Sequence, residues 1–372
     1  MILPLLLGRA LAAEDWREAV ELSGFVNPGF SVQVRDAAVP EDQLDIGITG
    51  SRAGLVARGE PVEAFSYKVY LLLKADTFPA VTSVRTVDVD NDGKVDGVDT
   101  ATREAMGNIV REASLSWNPS PVIGLKMGRM PIPFTSQAQS ADTALLFPER
   151  SGPNSVFIAD QDLGGLVNVN AGDVLLVKAG VFDGASAGAL SSSTRGALYL
   201  ARVDLHPLGE FEFDEGDPLR SDLRLGLGGG LAWHPYTAFD SAGYQAVSVN
   251  DLRATGSLRV AVSGLSAGAE VLWRQRVDDL TSRPQSALGA YGQLGFFTPV
   301  GLEPIARVGW TEEDRSFDPQ ATRWMDLGLN IYPFVDREHP DVLRLTAQYV
   351  SENRVTEGEA ARGGALRAQL TF

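Results

Sequence analysis

Along most of the chain, apolar residues alternate with small, polar or charged ones in segments separated by Gly, Pro, Asn and Asp. A period of two is that of a β-strand, whose successive side chains point to opposite faces. In the last segment Leu366, Ala368, Leu370 and Phe372 share one face, and Arg367, Gln369 and Thr371 the other. The same split sets Leu343, Leu345, Ala347 and Tyr349 against Arg344, Thr346 and Gln348. It recurs in Leu265, Ala267, Ala269, Val271 and Trp273 against Ser266, Gly268, Glu270 and Arg274. Between Leu252 and Val262 the aliphatic residues oppose Arg253, Thr255, Ser257 and Arg259. Applied throughout, the rule predicts strands near 20–36, 45–59, 64–77, 111–118, 122–131, 163–170, 173–183, 196–206, 223–234, 250–263, 265–277, 287–299, 302–311, 323–333, 342–352 and 364–372. These are sixteen, an even number, and the fold they predict is all-β: a 16-stranded antiparallel transmembrane β-barrel.

Turn chemistry orients the barrel. Glu60-Pro61, Ala171-Gly172, Gly264 and Val300-Gly301 predict tight connections on one side. In outer-membrane barrels the short turns face the periplasm and the long loops the exterior. The connections 206–222 and 334–341 are longer exceptions on the periplasmic side, while 79–110 and 134–162 fall among the extracellular loops. Trp117, Trp233, Trp273, Trp310 and Tyr349 lie on the apolar parity, often near strand ends, where an aromatic girdle sits. Ordinary core aromatics are the alternative. Gly228-Gly229-Gly230 falls inside a strand and so cradles no phosphate; small residues there ease curvature.

Composition narrows the picture. No apolar run approaches the roughly 18 residues a membrane helix needs, so a membrane-spanning chain of this sequence crosses with strands. The chain has no cysteine, which removes disulfides and thiolate chemistry and suits export through an oxidising compartment. A net charge of -16 argues against binding nucleic acid. Residues 1–13, apolar from Leu3 to Leu7 and ending Ala10-Leu11-Ala12-Ala13 before Glu14-Asp15, read as a cleaved export signal, leaving 14–372 as one barrel domain. The histidines, His206, His234 and His339, adjoin no nucleophile motif, and an enzyme is not expected.

The polar parity would face the lumen. It carries Arg35, Arg52, Arg58, Lys68, Lys74, Lys178, Arg202, Arg224, Arg253, Arg259, Arg274, Arg276, Arg307, Arg344 and Arg367, against Glu112, Asp204, Glu270, Glu303 and Asp326. The arginines among them from Arg52 to Arg344, with Arg150 of the 134–162 loop, are the candidate pore-lining residues. Rings of basic side chains favour anions. Acidic loops favour cations at the mouth, and charges paired across the interior would favour neither.

Residues 88–99 carry the sharpest local motif. Asp88, Asp90 and Asp92 fall at loop positions one, three and five, Gly93 at six, Lys94 at seven and Asp99 at twelve, the pattern of an EF-hand-like or dockerin-like calcium loop. Asp96 is placed to contribute through water, and Thr100 to Arg111 to continue as an exiting helix. A structural calcium ion stiffening an exposed loop is the expected cofactor; a solvated acidic loop is the alternative.

Gly128-Arg129-Met130-Pro131-Ile132-Pro133-Phe134, Phe147-Pro148-Glu149-Arg150-Ser151 and Asp160-Gln161-Asp162-Leu163-Gly164-Gly165 resemble the strand and inserted loop of the phosphate-selective porin (porin O/P) family. Ala201 to Gly209 and Leu327 to Tyr332 extend the resemblance over most of residues 20–372. It implies a homotrimeric porin in the outer membrane of a Gram-negative bacterium, in contact with lipid, with 134–162 folded inward to narrow the pore. Passive diffusion of small hydrophilic solutes or ions, including anions such as phosphate, is the implied function. Two departures stand out: of the family's arginine cluster near the second strand, Arg52 is what Ser51 to Gly59 clearly retains, and 134–162 sets Arg150 against Asp142, Glu149, Asp160 and Asp162. The competing expectation is a calcium-dependent surface or carbohydrate-binding barrel without an open pore.

Overall fold

The computed structural model describes residues 20–35, 44–47, 51–74, 81–87, 97–102, 109–157, 161–184, 194–209, 211, 213–239, 246–279, 284–313, 320–335, 342–355 and 359–372. The first stave of the barrel is interrupted at Pro28 and comprises β1 (Glu21–Asn27) and β2 (Gly29–Arg35). The second comprises β3 (Leu44–Gly47) and β4 (Arg52–Val62), and β5 (Phe65–Lys74) is the third. A separate hairpin, β6 (Val81–Val87) with β7 (Gly97–Thr102), stands outside the barrel sheet. The wall continues with β8 (Val110–Trp117), β9 (Ile123–Pro131), β10 (Gln161–Ala171) and β11 (Leu175–Phe182). The eighth stave is again divided, into β12 (Thr194–Arg195) and β13 (Leu198–Leu205). The remaining staves are β14 (Arg224–Phe239), β15 (Ala246–Val262), β16 (Leu265–Asp278), β17 (Pro284–Phe296), β18 (Leu302–Glu313), β19 (Gln320–Ile331), β20 (Leu343–Arg354) and β21 (Glu359–Thr371).

Consecutive staves pair antiparallel, and the first meets the last, with Phe25 opposite Thr371 and Gly29 opposite Arg367. Gly24 and Phe372 exchange backbone hydrogen bonds of 2.7 and 2.9 Å across this seam. The result is a closed 16-strand antiparallel barrel, matching the sixteen strands read from alternation. Closure matters because an open edge would leave unpaired backbone groups in hydrocarbon.

The faces are inverted relative to a water-soluble protein. Leu231, Val271, Val308 and Leu366 point outward and are more than half exposed, whereas Arg202, Asp204, Asp251, Glu270, Arg307 and Arg344 are buried inside. Trp117, Trp233, Trp310 and Tyr349 are exposed on the outer face. Trp117 stacks on Phe65 near the short-turn end, and Trp233 on Tyr199 toward the other end, so the aromatics form two bands.

Short turns alternate with longer connections as expected, with one shift of position and one change of element. Glu60-Pro61 lies within β4, where the register with β5 slips between Gly59 and Val62, and the turn is made at Glu63–Ala64 with Ala64 at φ 69°. Thr100 lies in β7, which begins at Gly97 within the acidic run, so a strand stands where the exiting helix was expected to begin, and 103–108 lie outside the described residues. The 263–264 turn has φ positive at both Ser263 (50°) and Gly264 (94°), the twist that suits a two-residue hairpin.

Val308→Arg places a charge on the outward face. It should lower the stability of barrel folded into lipid vesicles by about 2–4 kcal/mol, read by denaturant titration.

Candidate functional site

After β9 the chain turns back into the barrel. Residues 132–157 carry Ile132, Phe134, Leu145, Leu146, Phe147 and Phe157, an apolar set that an exposed loop could not shield, and all six are buried inside the barrel. Two short helices organise the segment: α1 (Ser136–Gln139), capped by the Thr135 hydroxyl accepting from the Ala138 amide at 3.0 Å, and α2 (Gly152–Phe157). The Gln137 side-chain oxygen ties the helices together, accepting from Ser151 N at 2.9 Å and Asn154 Nδ2 at 2.7 Å. Small wall residues make the sockets: a Cβ on Gly230 would lie 2.8 Å from the Phe134 oxygen, and one on Gly289 2.8 Å from the Phe157 ring. Gly228 similarly leaves room for the Arg202 guanidinium, so the glycine run of β14 serves close approach from within as well as curvature.

An irregular segment inside a barrel has carbonyl groups that no ladder satisfies, and leaving them bare costs free energy. The wall supplies the donors. Arg202 donates to the Phe134 carbonyl at 2.7 Å, Arg253 to that of Phe157 at 3.0 Å, Arg307 to that of Glu149 at 2.8 Å and Arg344 to that of Leu145 at 2.7 Å. Arg52 donates to the Pro148 carbonyl. Asn330 reaches the Leu146 carbonyl at 3.0 Å and Gln369 that of Thr143 at 3.1 Å, while Arg367 pairs with the Glu149 carboxylate at 2.7 Å. The Glu270 carboxylate supplies an acceptor, taking the Ser136 amide at 2.9 Å. These contacts form an arc from β13 through β21 to β4.

Several of these guanidinium groups are neutralised at the same time. Arg202 pairs with Asp204 at 2.6 Å, Arg307 with Asp326 at 2.7 Å, and Arg253 and Arg274 share Asp251 at 2.7 and 2.6 Å. The planar fork of arginine allows a carboxylate on one edge and a carbonyl on the other, which a lysine ammonium cannot offer in one plane. Asp251 is buried and was not among the inward acids expected from the sequence. It follows the inward parity of Arg253, and that spacing was the signal available.

The other expected pore residues are placed as follows. Arg259 stacks over Phe211 and Phe213 at 4.6 Å from each centroid, Arg276 donates to Gln285 at 2.9 Å, and Arg58 pairs with Glu21 near the short-turn mouth. Arg224 is half-buried on β14 opposite Ala261. Arg150 lies inside the inner segment and bonds Asp142 at 2.7 Å and the Ser140 carbonyl at 3.0 Å. Burial raises the cost of charging Asp142, but Arg150, Arg111 and Arg52 outweigh it and hold its carboxyl well below the usual range. Asp88, Asp90, Asp92, Lys94 and Asp96 lie outside the described residues, and Asp99 lies on β7 opposite Arg85.

The opposite half of the wall is different. Between β5, β8, β9, β10 and β11 and the inner segment lies a cavity of about 560 Å³, bordered by Lys68, Lys126, Lys178, Glu112, Asn168 and Gln139 among others. Lys68 and Lys126 both pair with Glu112, at 2.9 and 2.5 Å, and Lys178 donates to Gln139. Lys126 was not among the inward residues expected from the sequence, although the alternation of Ile123, Leu125 and Met127 against Gly124, Lys126 and Gly128 carries the signal. A simpler signal was present: all five lysines of the chain, Lys68, Lys74, Lys94, Lys126 and Lys178, precede residue 179, and every later Lys-or-Arg position is arginine.

No family model matches the chain, and no curated protein matches it. Solved structures do. An anion-selective porin from Comamonas acidovorans superposes with TM-score 0.61 at 14% identity, over 95% of this chain and 99% of that one. The fold is that of the outer-membrane porins. The outer-membrane channel DcaP of Acinetobacter baumannii gives TM-score 0.58 at 13% identity, over 95% and 97% of the two chains. OmpT of Vibrio cholerae, an outer membrane protein in its trimer form, gives 0.57 at 12%, over 95% and 100%. An outward apolar belt on such a barrel belongs in the outer-membrane bilayer.

Gly230→Val should push the Phe134 carbonyl off Arg202 and loosen the inner segment at a cost of about 1–3 kcal/mol. Tryptic cleavage at Arg150 of the detergent-folded protein should accelerate while the heat-modifiable gel shift of the barrel stays unchanged.

Proposed function

We propose that the chain is a passive diffusion channel of the outer membrane that admits small hydrophilic solutes and favours anions, phosphate among them. The observation that carries this reading is the division of the lumen. The inner segment is fastened to the arginine half of the wall, and the space beside it is bordered by three lysines and one glutamate. A second space of about 540 Å³, bordered by Arg58 and Glu21, shares Lys68 and Lys126 with the first and continues the route to the short-turn mouth. A compact hydrated ammonium suits a wet passage, and an excess of positive wall charge attracts anions into it. On this reading residues 132–157 set the width of the pore, Lys68, Lys126, Lys178 and Arg58 face the permeating ion, and five of the arginines expected in the lining, Arg52, Arg202, Arg253, Arg307 and Arg344, act by holding the segment. Assembly as a homotrimer is part of the proposal, supported by the trimer form of one structural neighbour.

Reversal potentials in planar bilayers under a salt gradient test it. The parent should favour anions, and Lys68→Gln with Lys126→Gln and Lys178→Gln should cut that preference several-fold, whereas phosphate should compete with chloride current in the parent alone. Cation preference in the parent would move selectivity to the acidic loops. Silence of folded, inserted protein would favour the calcium-dependent, non-conducting surface barrel.

We also propose that residues 88–99 bind calcium. Val87 pairs with Gly97, which closes residues 88–96 into a loop and leaves Asp99 two positions further along β7. Isothermal titration should show calcium binding to the parent that Asp88→Asn with Asp92→Asn abolishes; a parent without binding heat or calcium-dependent change overturns it.

A further inference from the structure

The connection 206–223 joins β13 to β14 at the short-turn end, opposite to where residues 132–157 enter. Short turns at that end need two to five residues, so this length requires an account. Its centre folds inward. Phe211 is buried against Gly226, where a Cβ would stand 2.6 Å from the ring, and Arg259 lies over both Phe211 and Phe213. The base of the connection is fixed to a neighbouring turn, with the Gly264 amide donating to Asp217 at 2.7 Å and the Ser263 amide to the Ser221 carbonyl at 2.7 Å.

Its middle touches the segment that came in from the other mouth. The Glu215 carboxylate accepts from Gln137 Nε2 at 2.7 Å with one oxygen and from the Leu146 amide at 2.8 Å with the other. The Glu215 amide donates to the Ala144 carbonyl at 3.0 Å, and the Ser140 hydroxyl to the Phe213 carbonyl at 2.5 Å. Residues 140–146 lie between the two helices, and the wall holds this stretch through Arg344 at Leu145, Arg111 and Tyr70 at Asp142, Gln369 at Thr143 and Asn330 at Leu146, so Glu215 adds the hold from the short-turn end. Phe213 also borders the lysine-lined cavity, within 4.9 Å of Lys178 Nζ measured to the ring centroid.

We propose that 206–223 is a second constriction element and that Glu215 is its positioning residue, pinning the centre of the inner segment from the periplasmic mouth. The width of the passage is then set jointly by two segments entering from opposite ends. The role in conduction rests on the pore reading above; the contact itself does not.

Hydrogen exchange on the folded full-length protein, read by mass spectrometry, separates the two. Glu215→Gln keeps the shape but turns one acceptor into a donor facing a donor, and Glu215→Ala removes both acceptors. Either should speed exchange in peptides covering 141–148 about tenfold or more, leaving the strands unchanged. In bilayers the same variants should show larger and noisier current steps with ion preference retained. Unchanged exchange over 141–148 overturns the proposal. If neither variant folds, the parent decides: peptides covering 211–217 should be protected alongside 141–148, and exchange there at open-loop rates overturns it. A silent parent bears on the pore reading alone, because exchange reports the contact in a closed barrel too.

Discussion

Everything inside this barrel depends on hydrogen bonds from wall arginines to the backbone carbonyls of one irregular segment. A strand or helix satisfies its own backbone; residues 132–157 do so in two short helical turns and at isolated bonds such as that from the Ala144 amide to the Ala141 carbonyl. Without Arg202, Arg253, Arg307 and Arg344, the carbonyls of Phe134, Phe157, Glu149 and Leu145 would lose the donors that the wall gives them. The requirement also explains the buried carboxylates. An arginine held against a neutral carbonyl in a dry interior still carries its charge, so Asp204, Asp251 and Asp326 stand beside the donors that would otherwise be uncompensated.

The same constraint divides the two basic residue types in space. Arginine populates the wall from β13 to β21, where a planar donor must meet two acceptors at fixed angles. Lys68 of β5, Lys126 of β9 and Lys178 of β11 border the open cavity. The segment takes more of its fastenings from the arginine side, with Tyr70, Arg111 and Lys178 reaching it from the other, and the cavity lies along that other side.

The architecture was legible in the sequence because barrel chemistry writes a period of two into every stave, and a slip of one residue would turn Val308 inward and Arg307 outward. Stave existence and parity therefore came through, while the bulge after Gly59 and the φ of Ala64 moved a turn by a few residues. The roles of the arginines were not legible. Parity places Arg253 inside the barrel but does not say whether it meets water or the Phe157 carbonyl, because that depends on a loop path with no periodic signal. Nor does parity treat a connection such as 206–223 as anything but a long turn, although Phe211 and Phe213 on it are the kind of residues that seek cover.

Sequence separation adds an order of events. The partners that secure residues 143–146 include Asn330, Arg344 and Gln369, which lie 184, 199 and 226 positions further along the chain. During folding the segment therefore completes its set of donors only when the last staves arrive, long after β9 and β10 on either side of it can pair. Contacts this distant are formed late because loop closure must precede them. Lumen filling and ring closure are thus one cooperative step, and a chain whose final staves are delayed would present its most apolar connection, Leu145-Leu146-Phe147, to solvent and to chaperones.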